Sequence, residues 1–249
     1  MKYCLYHANC MDGFMAYYLV WRHIDNIIGI PINYGEPFPD IPNATEIWIV
    51  DFSIDIPEQY RSICKVFDHH KSSKAPGCGA SLVVFDESRS GCGLVAKHFD
   101  VKHIMCDYIE DRDLWLWKLP NSHKINAALA VLDKKLDVWN IEYNYFEPGK
   151  LAYVGGNLIK QRDQYIERIV KNSEVINGVT FINSPILQSE LGDSCEGLKV
   201  IYSISRGMVN GSCRGPGALE YAQRLGGGGH ALAAGFRTSL KEFLDAREG

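Results

Sequence analysis

Short apolar runs alternate with helical patterns through the first half of the chain. Runs of strand length cover residues 2–6, 46–50 and 63–67. Between them, apolar residues at helical spacing predict a helix over 14–24, and Pro57 suits the start of a short helix over 57–62. Alternation of strands and helices is typical of a parallel sheet built from βαβ units. The sequence therefore predicts an α/β fold for this half.

The same pattern predicts further helices and strands towards the middle of the chain. We predict a polar loop at 71–79, an edge strand at 80–85, a helix from about 91 to 99 and mainly helical structure over 121–139. A long amphipathic helix at about 150–172 is expected to connect two domains. The predicted domains are residues 1–172, with a parallel sheet, and residues 173–249, a smaller α/β unit.

The smaller predicted domain returns to short elements. Strands are expected at 179–182 and 198–203, a Gly/Ser/Cys-containing loop up to residue 217, and a helix near 218–225. Four glycines and a histidine, Gly226 to His230, follow this helix. We find no internal repeat.

Composition narrows the function classes. The 249 residues carry a formal net charge of −4, which argues against a protein that coats long duplex nucleic acid through a broad basic surface. The eight cysteines include no CxxC pair, so a zinc ribbon is not indicated. His7, Asn9 and Asp12 interrupt the apolar start, and no apolar run reaches the ~18 residues of a membrane span. We therefore expect a cytoplasmic protein without a membrane partner.

Candidate metal ligands follow three successive predicted strands. His7 and Asp12 come after the first strand, Asp51 after the second, and Asp68-His69-His70 after the third. The carboxyl ends of parallel strands form one edge of an open sheet, where ligands bind. Alone, His7 and Asp12 also fit a surface loop, and Asp51 a turn cap. The Asp-His-His cluster instead favours a divalent ion such as Mn²⁺.

Two further carboxylates lie beside a pair of tryptophans. Asp111 is a candidate additional ligand, whereas Asp113 is expected to pair with Arg112 and nearby lysines. Five or six ligands exceed the needs of one ion and suit two metals with a bridging carboxylate, ~3.5–4 Å apart. Such a site activates water for attack on phosphorus.

The glycine run is the second landmark. A flexible linker is the simple alternative, but the run lies between a predicted helix and a small-residue segment. Glycines let backbone N–H groups approach an anion, and we expect a helix N-terminus after them to favour phosphate. Arg206 is either a bidentate phosphate contact or a solvated surface charge.

Taken together, the motifs resemble a known superfamily. They are His7…Cys10-x-Asp12-Gly13, Val50-Asp51-Phe52-Ser53, Asp68-His69-His70, Asp111 and Gly226-Gly227-Gly228-Gly229-His230-x3-Ala234-Gly235-Phe236. This set resembles the DHH phosphoesterases with a DHH-associated C-terminal domain, a group that includes RecJ-type exonucleases, oligoribonucleases and cyclic-dinucleotide phosphodiesterases. The resemblance spans essentially the whole chain, in order.

The resemblance implies a role for each matching residue. It places one metal on His7, Cys10 and Asp51, and a second on Asp12, Asp51, His69 and Asp111. It implies that Asp68, His70 and His230 take part in catalysis, with Asp68 orienting His69 and the two histidines near the phosphate. Substrate binding falls to Arg206, Gly227, Gly228, Gly229 and His230. The active cleft is then expected between the domains.

One position departs from the family pattern. The family usually has Asp-x-Asp-Gly where this chain has Cys10-Met11-Asp12-Gly13. The family is typically Mn²⁺-dependent, which implies two Mn²⁺ ions here. A thiol is a softer ligand and favours Zn²⁺ or Fe²⁺. Alternatively, Cys10 does not bind and the first metal is weak.

These expectations lead to one hypothesis for the function and to two alternatives. We predict a two-metal phosphodiesterase that cleaves short single-stranded oligonucleotides or small phosphodiesters to nucleoside monophosphates. Cyclic-dinucleotide hydrolysis, or a phosphomonoester or polyphosphate activity, is the alternative on the same fold. A non-catalytic nucleotide sensor is the alternative of another class. Formation of a homodimer is a further possibility that the sequence leaves undecided.

Overall fold

The computed structural model describes residues 1–33, 35–70 and 75–248, so the predicted loop at 71–79 begins outside the described residues. The strands of the first half are β1 (Lys2–His7), β2 (Ile27–Ile32), β3 (Glu46–Val50), β4 (Cys64–Asp68) and β5 (Leu82–Phe85). The helices are α1 (Met11–His23), α2 (Gly91–His98), α3 (Ile104–Asp113), α4 (Ser122–Ala130), α5 (Leu136–Asn144) and α6 (Pro148–Lys171), and a 3-10 helix spans Glu58–Ile63.

The first five strands form one sheet in the order β2-β1-β3-β4-β5. All four pairings are parallel. The predicted parallel sheet and the edge position of β5 are confirmed. Strand β2 was not predicted as a strand, because Gly29 and Pro31 interrupt its apolar pattern. Proline is tolerated here because β2 is an edge strand.

Both faces of this sheet are buried, as expected for a parallel sheet. Successive side chains of a strand point to opposite faces. Trp48 and Val50 accordingly pack with the helices on one face. Ile47 and Ile49 pack on the other face with apolar residues of the segment between β2 and β4, such as Phe52. Burial on both faces fixes the register of β3, and hence the position of the residue that follows it.

The second half contains another sheet. Its strands are β6 (Glu174–Ile176), β7 (Val179–Asn183), β8 (Lys199–Ser205), β9 (Met208–Arg214), β10 (Gly228–His230) and β11 (Ala233–Ser239). They lie in the order β10-β11-β9-β8-β7-β6, and the β7–β8 pair is parallel while the others are antiparallel. The helices are α7 (Gln188–Gly192), α8 (Ala218–Arg224) and α9 (Leu240–Glu248).

The prediction for this half was only partly right. Strands β7 and β8 and helix α8 lie where the pattern placed them. The loop expected before residue 217 is wrong, because residues 208–214 form strand β9. This strand pairs with β11 on one side and β8 on the other. Backbone hydrogen bonds on both sides hold it in the sheet, so it tolerates small polar residues.

The chain divides into two compact units. One spans Met1–Ile159 and the other begins at Lys160. The division falls inside α6, the helix predicted as a connector, and earlier than the predicted boundary at 172. In the part of the chain that the structure describes, no helix combines the length and apolar character needed to cross a bilayer.

Candidate functional site

Three adjacent strands of the first sheet bring candidate ligands to one edge. His7 is the last residue of β1, Asp51 follows β3 directly, and Asp68 ends β4. These strands are neighbours in the sheet and run parallel. The expectation that their carboxyl ends meet is therefore confirmed at the level of the fold.

Asp51 is the centre of this edge. Its backbone N–H donates to the carbonyl of Phe67 at 2.9 Å, and its φ of +64° lies in the left-handed region, which costs free energy for a residue other than glycine. Its Oδ2 lies 3.4 Å from Nδ1 of His7, and its Oδ1 lies 3.3 Å from Nε2 of His69. The strained backbone thus holds one carboxylate between two imidazoles.

Two helix N-termini close on the same edge. Asp12 is in the first turn of α1, and its Oδ1 accepts a 3.0 Å hydrogen bond from the backbone N–H of Cys92, in the first turn of α2. Gly91 is tightly enclosed, because a Cβ there would lie 2.6 Å from Cβ of Asp51 and 2.7 Å from Oδ2 of Asp12. The approach of α2 to both carboxylates therefore requires glycine at this position.

The ligand atoms fall into three groups, each within 4.8 Å. The groups are His7, Cys10 and Asp51; Asp51, His69 and His70; and Asp12, His69 and Asp113. Asp51 and His69 each belong to two groups. Sharing of this kind is what a bridged pair of ions requires.

Asp113 occupies the place expected for Asp111. Its Oδ2 lies 3.4 Å from Nε2 of His69. The carboxylate of Asp111 instead accepts the backbone N–H groups of Lys118 at 2.8 Å and Leu119 at 3.3 Å. Asp111 thus anchors the loop after α3. Two residues that are two apart on a helix point about 200° apart, so only one of them can face the cluster.

Asp68 also has a different partner from the one expected. It is fully buried, and its Oδ1 accepts a 2.8 Å hydrogen bond from Nδ1 of His70. The contact between Asp68 and His69 is through the backbone N–H of His69, at 2.8 Å. The ring that Asp68 orients is therefore that of His70.

Burial and mutual repulsion shape the charges of the cluster. Burial, together with the charges of Asp51 and Asp113, raises the pKa of Asp12 well above its usual value. Burial and Asp51 likewise raise the pKa of Asp113. For Asp51, burial acts upward, but the neighbouring imidazoles of His69 and His7 outweigh it and lower the pKa. Burial lowers and the bond to Asp51 raises the pKa of His69, which reaches about 9.

The cluster fits a divalent metal by its donor chemistry. Asp12, Asp51 and Asp113 each have a buried Oδ2 that forms no well-directed hydrogen bond within the described residues, although an imidazole nitrogen lies 3.4 Å from the Oδ2 of Asp51 and of Asp113. Buried carboxylates without donors are costly unless a cation compensates them. Carboxylate, imidazole and one thiol together suit a hard-to-borderline divalent ion. The residues present can therefore hold such an ion.

The last two glycines of the run begin strand β10 of the second sheet. The run leads into β10 and then β11, and not into the expected helix N-terminus. Gly226 ends α8 with a φ of +74°. A Cβ on Gly227 would lie 2.1 Å from the carbonyl oxygen of Gly235, whereas one on Gly228 would meet open space. Gly229 has a φ of +146°. Packing and turn geometry thus explain most of the run, and the linker alternative fails.

Strand register separates Arg206 from His230. His230 pairs with Ala233, which pairs with Arg214, and Arg214 pairs with Lys199. Residues opposite one another in a sheet share a face, so His230, Arg214 and Lys199 form a basic row. Arg206 is in the turn before β9, roughly 20 Å along the strand from Arg214 at ~3.3 Å per residue.

Sequence reasoning did not single out Arg214, and it assigned Asp113 to ion pairing with Arg112 and nearby lysines. The strand pairing that aligns Arg214 with His230 is long-range, and β9 lacks an apolar pattern. The signal available for Asp113 was its place in Asp111-Arg112-Asp113, where only the helix phase decides between the two acids. His230 and Arg206 are both exposed, and Arg214 is half-buried.

The fold is shared with an exonuclease and a phosphodiesterase of known structure. The exonuclease RecJ bound to manganese superposes with a TM-score of 0.58 at 14% identity, over 98% of this chain and 88% of that structure. The pGpG-specific phosphodiesterase PggH from Vibrio cholerae gives 0.57 at 12% identity, over 98% and 95%. The chain has the RecJ-type, or DHH, fold. RecJ from Thermus thermophilus in complex with Mn²⁺ gives 0.54 at 13% identity, over 98% of this chain and 50% of that structure.

Among curated proteins, the DHH-fold chain resembles an uncharacterised protein of Acanthamoeba polyphaga mimivirus. The two are 24% identical over 231 residues, which covers 76% of this chain and 53% of that protein. The chain thus spans about half the length of the curated relative it matches. No protein-family model matches the sequence.

Proposed function

We propose that the chain is a divalent-metal-dependent phosphodiesterase that hydrolyses short oligonucleotides or small phosphodiesters to nucleoside monophosphates. The observation that supports this most is the cluster in which Asp51 belongs to two groups of ligand atoms, at the carboxyl edge of a DHH-type sheet. The proposed ligand set is His7, Cys10, Asp12, Asp51, His69 and Asp113, with Asp113 in place of Asp111. Bound metal would supply a water of lowered pKa and neutralise phosphate oxygens.

The chain's own groups complete the chemistry. Asp51 holds His7 and His69 at fixed distances, which orients the ligands before an ion binds. The hydrogen bond from His70 to Asp68 raises the pKa of His70. A raised pKa favours the charged imidazole, which would attract a phosphate oxygen and stabilise negative charge that develops on it. His230 and the basic row of the second unit are proposed to bind a substrate phosphate.

The substrate class is tested with purified protein and divalent metal. RNA of two to five nucleotides, cyclic dinucleotides, pyrophosphate and a phosphomonoester are each offered, and released mononucleotides and inorganic phosphate are quantified. We expect the short linear RNAs to be cleaved most efficiently. Preferential cleavage of cyclic dinucleotides or pyrophosphate would replace the proposed substrate. Nucleotide binding without hydrolysis of any compound would favour the sensor alternative.

Cys10 is expected to set the metal preference. Burial and the charges of Asp51 and Asp12 raise the pKa of the Cys10 thiol, so a bound ion must displace its proton. Replacing Cys10 by Asp should shift the preference from Zn²⁺ or Fe²⁺ towards Mn²⁺ by about tenfold, within the range for altered metal surroundings. Metal affinities from calorimetry measure the shift. Unchanged Mn²⁺ activity in both Cys10→Ser and Cys10→Ala would show that the sulfur is not a ligand.

A further inference from the structure

The loop after α3 presents an exposed tryptophan beside the metal cluster. Trp115 is 71% exposed and lies two residues after Asp113, so their Cα atoms are at most about 7 Å apart. The carboxylate of Asp113 contacts His69. A nucleoside attached to a phosphate at the cluster therefore lies within reach of this indole.

The backbone of this loop is held in an unfavourable conformation. Trp115 and Trp117 have φ values of +56° and +53°, a region that bulky residues rarely adopt. The loop is fixed by Asp111, whose carboxylate binds the N–H groups of Lys118 and Leu119 and whose carbonyl accepts the N–H of Leu116 at 2.8 Å. Strain persists only where the surroundings over-determine it, and it clusters at functional sites.

The aromatic rings of the loop support one another. Trp117 stacks on His123 with ring centroids 3.7 Å apart and planes at 11°. Trp115 meets Trp117 edge-on at 5.1 Å and 73°. Trp115 is thus braced at an edge and leaves most of its surface to solvent. Single exposed apolar side chains are common on protein surfaces, so what sets this indole apart is its braced position in a strained loop beside the cluster.

Resting on the proposed function, we propose that Trp115 stacks on a nucleobase of the substrate whose phosphate binds at the metal cluster. Aromatic side chains bind single-stranded nucleic acid by stacking on bases, with little dependence on sequence. Lys118, exposed in the same loop, adds positive charge for the substrate backbone. The site then selects phosphodiesters that carry a base over base-free phosphodiesters and pyrophosphate.

The first test measures kcat/KM for the dinucleotide pApA and for the same compound with an abasic nucleoside. We expect Trp115→Ala to lower kcat/KM for pApA by about 5- to 150-fold, the range for loss of one stacked base. The abasic compound should be a poor substrate for wild type and be cleaved equally by the variant. Trp115→Phe should retain most of the activity. Tyr153→Ala removes an equally exposed aromatic, at 75%, and should change nothing.

The second test does not depend on hydrolysis. AMP, which contains no phosphodiester bond, is titrated into protein supplied with Mg²⁺, and tryptophan fluorescence is followed. We expect quenching in wild type and in Tyr153→Ala, and its loss in Trp115→Ala. If wild type cleaves nothing, the proposed function fails and this titration alone decides the stacking site. Quenching that persists in Trp115→Ala, or an equal loss of activity on both dinucleotides, would overturn the proposal.

Discussion

The metal cluster of the first unit and the basic row of the second differ in burial and in charge. In the cluster, Asp12 and Asp51 are each only 1% exposed. Gly91, the first residue of α2, lies so close to both that there is no room for a Cβ. In the row, His230 is exposed and Arg214 is half-buried. The cluster is rich in carboxylates and suits a cation. The row contains Arg214 and Lys199 and suits an anion.

The difference teaches how substitutions should act at each place. A buried carboxylate that bridges two groups has no substitute, because solvent cannot replace it. In the row, Lys199 is only 6% exposed and donates to the Cys195 carbonyl, while the half-buried Arg214 remains partly open to solvent and salt. Substitutions in the cluster should therefore have large effects, and those in the row graded ones.

The strongest test of the comparison is Asp51→Asn. The amide keeps the shape but loses the charge that joins the ligand groups, so metal affinity and kcat/KM should each fall by more than about 100-fold, beyond what substitutions around a metal ligand cost. Calorimetric metal titration and initial rates measure these two effects. Asp25→Asn, at an exposed position, is the control. If Asp51→Asn hydrolyses substrate as fast as wild type, the hydrolysis does not come from this cluster, and the enzymatic interpretation of the cluster is wrong.

A smaller effect is expected from Gly91→Ala. The added methyl group meets Asp51 and Asp12 at less than 3 Å, and overpacking of this kind costs about 1–3 kcal/mol in stability. Urea unfolding midpoints give the change, and metal affinity should fall with it. Gly156→Ala is the matched control, since its Cβ would meet only the flexible Lys124 side chain at 3.6 Å or more. Inside α6 that change should stabilise by about 0.5–1 kcal/mol. Equal effects of the two substitutions would mean that α2 does not enclose the site.

The two regions also differ in how well the sequence predicted them. The buried parallel strands of the first unit are continuous apolar runs, and their ends mark the ligands directly. His7, Asp51 and Asp68 were placed correctly at strand ends for that reason. What local pattern could not supply was helix phase. That phase decides between Asp111 and Asp113, and it is set by packing of α3 against its neighbours.

The second unit was harder to predict for a physical reason. Strand β9 contains Asn210, Gly211 and Ser212, residues with low strand propensity, and its pairing with β8 and β11 overrides that propensity. The alignment of Arg214 with His230 follows from this pairing. Without it, Arg206 was the arginine considered as a phosphate contact.

The basic row is tested by comparing two arginines of one unit. Arg214→Ala should raise KM for an oligonucleotide by about tenfold, the low end for a hydrogen bond to a charged group. Arg206→Ala, at the far end of β9, should stay within about twofold. Steady-state kinetics at two salt concentrations measures both, and the Arg214 effect should shrink at high salt. A larger effect of Arg206→Ala would reinstate the role predicted from the sequence.

The smallest effect concerns an exposed carboxylate of the second unit, whose pKa shifts in the opposite direction to those of the buried Asp12 and Asp113 in the cluster. Glu242 accepts hydrogen bonds from Thr238 at 2.7 Å and from the Ser239 N–H at 3.1 Å, and these lower its pKa from 4.5 to about 2. Together with the Glu242 N–H to Ser239 Oγ bond of 3.2 Å, they form a capping box that begins α9.

The sign of its pH dependence follows from that direction. A carboxylate whose folded pKa is depressed stabilises the protein above its unfolded pKa of 4.5, and the contribution is lost as pH falls towards 2. Glu242→Gln should therefore lower Tm slightly at pH 6, and the gap to wild type should close as pH falls below about 4. Thermal unfolding across this range measures the gap. A gap that stays constant with pH would mean that the side-chain amide and carboxylate cap α9 equally, and that charge has no part in it.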